Sequence, residues 1–233
     1  MRYPNFREEK KLLKKGFKRV AGIDESGRGP LACPVVAAAV SIIANCKLKA
    51  KSVRFSSSRC DSIIEDFKNL KDSKKLSPKK REEFYKILTK SPFIEWGIGK
   101  VSEKVIDKIN IKNAAELAME KALQNLKSKI KNKKSKIFLI IDGNNIKNLK
   151  LKTYNLKLIV KGDEKVFSCA AASIIAKVTR DRIMQKYHKK FPRYDFNKHK
   201  GYPTKLHLKM LRKYGPCKIH RMTFGPVRAC NLK

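Results

Sequence analysis

Three short apolar runs in this chain end on carboxylates. Residues 19–25 (RVAGIDE) close on Asp24-Glu25, residues 137–142 (IFLIID) close on Asp142, and residues 156–160 (LKLIV) are followed by Lys161-Gly162-Asp163. Runs this short, apolar and β-branched read as strands, with glycine as the stop signal after each. The acids therefore emerge at strand ends, the usual position of a site in an open α/β sheet. Taken singly, each acid reads equally as a cap or turn former, and Asp142-Gly143 is a common turn pair. Taken together, Asp24, Glu25, Asp142 and Asp163 would repel one another unless cations neutralise them. Hard oxygen donors of this kind suit Mg²⁺ or Mn²⁺. Two such ions about 4 Å apart could activate a water and stabilise a leaving 3′ oxygen.

The rest of the chain supplies elements to pack around those strands. Residues 33–43 (CPVVAAAVSII) and 93–101 (FIEWGIGKV) read as two further strands, with Trp96 as core. Residues 6–15 read as a short charged helix. Ser77-Pro78 is a helix start, opening a helix over 78–89. Residues 106–130 carry Ala114, Leu117, Ala118, Ala122 and Leu126 at helical spacing, residues 164–190 form a long helix, and 202–214 hold one more. Five strands in this order predict a mixed α/β domain with parallel strands in the second half.

Charge narrows the partners. The 233 residues carry 57 Lys+Arg against 20 Asp+Glu, a formal net charge of +37, yet 42% are hydrophobic. The surplus belongs to a globular chain rather than a disordered tail, and a polyanion is its natural partner. The apolar run of residues 31–46, interrupted by Pro34, Ser41 and Asn45, is shorter than the ~18–20 residues of a membrane helix, and residues 1–19 lack a signal peptide's apolar stretch. Six cysteines without a C-x-x-C pair or a matching histidine spacing predict reduced thiols and a cytoplasmic protein. The four histidines have no zinc spacing and read as surface or nucleic-acid-facing.

Two further segments could meet phosphate. Gly27-Arg28-Gly29 follows the first acid pair; glycines let a backbone approach a phosphate, and arginine can fork onto it. A tight turn between strands explains the same residues. Residues 71–76 (KDSKKL) precede the Ser77 cap and read as a phosphate-facing or simply solvated basic loop.

Seven stretches, read in order, resemble prokaryotic ribonuclease HII: AGIDESGRGP (21–30), DSKKLS (72–77), IDGN (141–144), VKGD (160–163), AASIIAKVTRD (171–181), HKGYPT (199–204) and TFGPV (223–227). The resemblance implies a ribonuclease H-like fold, a five-stranded mixed sheet flanked by helices with a C-terminal helical region from about residue 190. It implies one catalytic domain over 1–233, opened by a helix within 1–17, acting as a monomer. The implied activity is endonucleolytic cleavage of RNA in RNA–DNA hybrids and 5′ of ribonucleotides in duplex DNA, leaving 3′-hydroxyl and 5′-phosphate ends. The implied catalytic and metal-binding residues are Asp24, Glu25, Asp142 and Asp163. Asp24 would bridge two ions, Glu25 and Asp142 would hold the ion near the leaving group, and Asp163 the ion carrying the water. Gly27, Arg28, Gly29 and Tyr202 match the junction-reading loop and its partner tyrosine. Lys74, Lys75, Ser173 and Lys177 fall in stretches that meet the phosphate backbone.

Two features depart from the family pattern. Residues 47–70 look longer than the usual link and read as a surface insertion. The charge exceeds what the fold requires. Arg28 and the short stretch before the first strand disfavour the ribonuclease HIII subtype, and no clamp-binding motif follows Val227. A catalytically silent nucleic-acid binder on the same scaffold, or a DNA junction resolvase, are the competing functions. A binder gains nothing from four acids facing phosphate.

Overall fold

The computed structural model describes residues 3–42, 73, 76–130 and 136–231. The possible insertion at 47–70 lies outside these, as do Lys74 and Lys75. The strands are β1 (Arg19–Ser26), β2 (Val35–Ile42), β3 (Ile94–Val101), β4 (Ile137–Asp142) and β5 (Asn155–Ile159). They form one sheet in the order β3-β2-β1-β4-β5. β1 pairs antiparallel with β2, and β2 with β3. β1 pairs parallel with β4, and β4 with β5. This is the mixed five-stranded α/β sheet expected from the sequence.

Helices cover both faces, which is why β2 reads as an unbroken apolar run. Val35, Ala37 and Ala39 pack with Ala114, Ala118, Ala122 and Leu126 of α3 (Glu103–Lys129). Ala38 and Val40 face the other way. They meet Ala171, Ile174, Ile175 and Val178 of α6 (Phe167–Lys190) and Phe84 and Leu88 of α2 (Pro78–Lys90). The same alternation divides β1. Ala21 and Ile23 lie in the α3 cluster, so Gly22 and Asp24 point toward α6.

Two close approaches set the helices on the sheet. A Cβ at Gly22 would lie 2.3 Å from the Ser168 carbonyl carbon, and one at Gly99 1.9 Å from the Ala118 oxygen. Glycine at these positions lets α6 and α3 sit in backbone contact with the strands. The N-terminal helix α1 (Arg7–Lys14) is tied to α6 through buried Glu9, whose Oε1 accepts the Ser168 N–H at 2.8 Å. Glu9 thus caps a helix on another segment. Removing it in Glu9→Ala should lower stability by about 1–2 kcal/mol, the usual worth of such a cap. Urea unfolding measures this; an unchanged midpoint would show that α1 is not held by the cap.

The boundaries differ from the sequence expectation at three places. β2 begins at Val35 rather than Cys33, because Cys33 sits at φ 83 and its N–H goes to Ile219 O at 2.7 Å. α3 starts at Glu103 and kinks at Asn110, φ 64, whose Oδ1 accepts from the Asn113 N–H and recaps the helix. A one-turn helix α4 (Leu149–Lys152) lies between β4 and β5. The helix expected over 164–190 breaks at extended Val166, leaving the turn α5 (Gly162–Lys165) before α6. Trp96 is half-buried rather than fully core. Lys129 Nζ lies 4.2 Å from its ring centre and its indole N–H reaches Thr89 O.

After α6 the chain forms a helical region. A 3₁₀ turn (Pro192–Tyr194) leads to α7 (Phe196–His199), α8 (Lys205–Tyr214) and α9 (Gly225–Asn231). Its core is Tyr194, Phe196, Met184 and Ile219 packed on Ala32 and Cys33. The histidine expectation fails here. His199, His207 and His220 are buried, with His207 Nε2 3.1 Å from His220 Nε2 and the His199 and His207 rings stacked at 4.3 Å. Each ring bonds a backbone group, which is what permits burial. No described helix is long and apolar enough to cross a membrane.

Candidate active site

Strand register brings the acids together. Ile23 on β1 pairs with Ile141 on β4, so Asp24 and Asp142, the next residues, lie side by side where that parallel pairing stops, while β1 runs on to Ser26 beside β2. Asp142 pairs with Ile159 at the end of β5. The chain then turns through Lys161 at φ 57 into α5, which carries Asp163. The Gly162 N–H donates to Asp142 Oδ1 at 2.8 Å, locking that turn to the β4 end. One carboxylate oxygen from each of Asp24, Asp142 and Asp163 lies within 4.8 Å of the other two.

The charges acting on Asp24 are negative. Burial first, then the charges of Glu25, Asp142 and Asp163, push the Asp24 carboxyl well above the usual carboxylate range; a hydrogen bond from Ser173 opposes this. Buried like charges at this spacing call for a multivalent cation. The three donors are hard carboxylate oxygens, and Asp24 is also held by the Glu25 N–H at 2.7 Å. The residues present fit a divalent metal of the Mg²⁺ or Mn²⁺ type.

Glu25 lies at the edge of this cluster. Its Oε1 is 2.6 Å from the Arg28 Nε, and the Arg28 side chain is 52% exposed. Gly27 sits at φ 104, where a Cβ would strike Arg180 Nε at 2.3 Å, so this turn requires glycine. A Cβ on Gly29 would reach Tyr202 Cε1 at 3.7 Å. The G-R-G loop and Tyr202 therefore meet across one cleft wall, and Tyr202 stays 38% exposed. Lys177 Nζ and Arg180 Cζ each stand 5.8 Å from the Tyr202 ring centre.

The remaining expected contacts divide. Lys177 is largely covered, its side chain 17% exposed, and pairs with Asp181 at 2.8 Å. Ser173 is buried and turned toward Asp24 and Ser73, with its Oγ 2.9 Å from Ser73 Oγ. A groove of about 580 Å³ continues between α2, α6 and α7, lined by Arg81, Lys177, Arg182, Lys198 and Lys200 with Glu82 and Asp181 among them.

Two residues beside the site escaped sequence reasoning. Arg180 and Arg221 are both fully buried, against the ordinary exposure of arginine. Neither shows a periodic or charge signal in a chain with 57 basic residues.

Known proteins carry similar sequences and a similar fold. Ribonuclease HII of Caldicellulosiruptor bescii is 44% identical over 219 residues, 94% of this chain and 92% of that protein. Ribonuclease HII of Bacillus subtilis is 43% identical over 95% of this chain and 75% of its own length. The crystal structure of ribonuclease H2 from Pyrococcus horikoshii superposes with a TM-score of 0.67 at 25% identity, covering 92% of this chain and 97% of that one. The family model described as Ribonuclease HII matches residues 21–227, from the start of the β1 motif to the last buried residue of α9. With Asp24, Asp142 and Asp163 all inside that match, the chain belongs to the ribonuclease HII family.

Proposed function

We propose that this chain is a single-domain, monomeric, metal-dependent endonuclease. It cuts the RNA strand of RNA–DNA hybrids and the 5′ side of ribonucleotides embedded in duplex DNA, leaving 3′-hydroxyl and 5′-phosphate ends. The observation that carries this reading is the convergence of Asp24, Asp142 and Asp163 oxygens within 4.8 Å. A silent binder would lose affinity by aiming these acids at a phosphate.

Asp24, Glu25, Asp142 and Asp163 would hold the metal. When bound, a pair of Mg²⁺ or Mn²⁺ ions supplies an activated water and charge stabilisation for the departing 3′ oxygen. Ser173 and the Glu25 N–H fix the Asp24 carboxylate in place. Backbone groups of Gly27, Arg28 and Gly29 read the ribose 2′-hydroxyl, the group that separates RNA from DNA. Tyr202 stacks on the sugar that follows, where a second 2′-hydroxyl would crowd the ring. Lys177, with Lys74 and Lys75 beyond the described residues, meets the phosphate backbone, and the basic groove beside α6 extends that track.

The test is a duplex containing one ribonucleotide, incubated with Mg²⁺ or Mn²⁺. A nick 5′ of the ribonucleotide is expected, and its absence with both metals sinks the reading. Binding should also be strongly salt-dependent. Each phosphate neutralised contributes a slope of about −0.9 in log K against log salt. A flat profile would mean that the surplus lysines never touch the substrate.

A further inference from the structure

The loop between β1 and β2 is held from behind by one side chain. Arg221 comes from the segment after α8, nearly two hundred residues further along the chain. Its guanidinium is fully buried and donates five hydrogen bonds, every one to a backbone carbonyl of this loop. Nη2 reaches Gly27 O at 2.6 Å and Cys33 O at 2.9 Å. Nη1 reaches Arg28 O at 2.9 Å and Pro30 O at 2.7 Å, and Nε reaches Cys33 O at 3.0 Å. The Arg221 N–H also donates to Leu31 O at 2.8 Å.

The direction of these bonds matters more than their number. In a trans peptide the C=O and the next N–H point opposite ways, and the described chain has no cis bond. Gly27 O turned inward sends the Arg28 N–H outward. Arg28 O turned inward does the same for the Gly29 N–H. Neither amide finds an acceptor among the described residues. Gly29 is also the residue beside which the Tyr202 ring packs. Two adjacent amides turned away from Arg221 offer a pair of donors suited to a hydroxyl or a phosphate oxygen.

No other side chain could do this as well. Arginine has five donors in a rigid planar fork and keeps its charge when buried, whereas lysine offers three donors at one point. Burial beside Arg180 draws Arg221 down only to about 10, so it stays cationic at neutral pH. That positive charge also lies behind a loop that faces polyanion.

We propose that Arg221 is a positioning residue for ribonucleotide selection: by gathering the carbonyls of Gly27, Arg28, Pro30 and Cys33, it aims the Arg28 and Gly29 amides at the ribose 2′-hydroxyl. This rests on the nuclease reading above. It concerns a residue that never touches substrate.

The test compares a fluorescein-labelled duplex containing one ribonucleotide with the same all-DNA duplex, by anisotropy in EDTA and by cleavage in Mg²⁺. Wild-type chain should prefer the ribonucleotide duplex. Arg221→Lys keeps the buried charge but not the fork. It should bind the all-DNA duplex as wild type does, while its preference for the ribonucleotide duplex falls about tenfold, the worth of one or two hydrogen bonds. kcat/KM on the ribonucleotide duplex should fall by the same factor. A folded Arg221→Lys that keeps the full preference, or that weakens on both duplexes equally, overturns the inference. A wild-type chain that fails to cut overturns the nuclease reading and the inference with it. Should Arg221→Lys not fold, amide exchange on the wild-type chain decides. Arg28 and Gly29 amides should exchange freely alone and be protected by the ribonucleotide duplex but not by the all-DNA duplex. Protection in the free chain, or equal protection by both duplexes, refutes the proposal.

Discussion

Asp24→Asn should reduce cleavage of a ribonucleotide duplex by at least about 1,000-fold, the ~4 kcal/mol that losing a charge-stabilising group commonly costs. Binding should survive or tighten, because a negative charge near the scissile phosphate is gone. The same substitution should stabilise the metal-free protein. Asp24 has its carboxyl held above the ordinary range by burial and by Glu25, Asp142 and Asp163. Below the unfolded pKa both states are protonated and there is no penalty. As pH rises through the higher folded pKa, the native state must accept a buried charge, and stability is lost. Asparagine removes that loss, so the variant should melt higher than the parent at pH 8 in EDTA. Added Mg²⁺ or Mn²⁺ should raise the parent's melting temperature and leave the variant's nearly unchanged. A variant that melts lower than the parent in EDTA, or that loses binding together with cleavage, would assign Asp24 a structural role instead.

The second large effect is acid lability of the C-terminal helical region. Burial, and for His207 the neighbouring His199, draws His207 and His220 from 6.5 to about 4. The hydrogen bonds explain the physics. The Cys217 N–H donates to His220 Nδ1, leaving His220 Nε2 to donate to His207 Nε2, while His207 Nδ1 donates to Tyr202 O. Each ring is neutral with one donor and one acceptor, and an added proton would set N–H against N–H. The unfolded chain therefore takes up protons first as pH falls. Stability should be full above about 6.5 and fall on the order of 3 kcal/mol for each of the two rings as pH drops toward 4. Urea unfolding from pH 7.5 to 4.5 measures it. His207→Gln should flatten the profile over that window. A pH-independent midpoint in the parent would show that the pair is not buried neutral. Because His207 holds the Tyr202 carbonyl, cleavage should weaken in the same window before the sheet unfolds.

The acids were legible because the signal is local: an apolar run, a carboxylate, a glycine. Their seats were not, since β1 runs past Asp24 to Ser26 and Asp163 stands on α5 rather than at the end of β5. Parallel pairing of β1 with β4 follows from the long crossovers, and register then puts Asp24 beside Asp142. The layers were legible too, since α3 shows its alanine stripe at helical spacing. What could not be read depends on segments far apart in the chain. Cys33 looks like strand by composition, yet its backbone is turned by Ile219. His207 and His220 look like solvent-facing residues until tertiary packing stacks them on His199 and Phe196. Arg221 sits two residues before a quoted stretch, but nothing in its neighbours says that it reaches back to Gly27. Asn110 and Val166 interrupt helices that periodicity alone would continue.

The placement of the acids also has a consequence for biosynthesis. Asp142 and Asp163 leave the ribosome more than a hundred residues after Asp24, and Arg221 later still. At about 5–20 residues per second, these late parts follow Asp24 by many seconds. During that interval the nascent segment already carries a heavily cationic sequence and can meet RNA, yet it lacks both strands that complete the acidic centre. Strand β1 waits at the middle of the sheet for partners on its far side. The order of the elements along the chain therefore delays the acidic centre until β4 and α5 have followed β1.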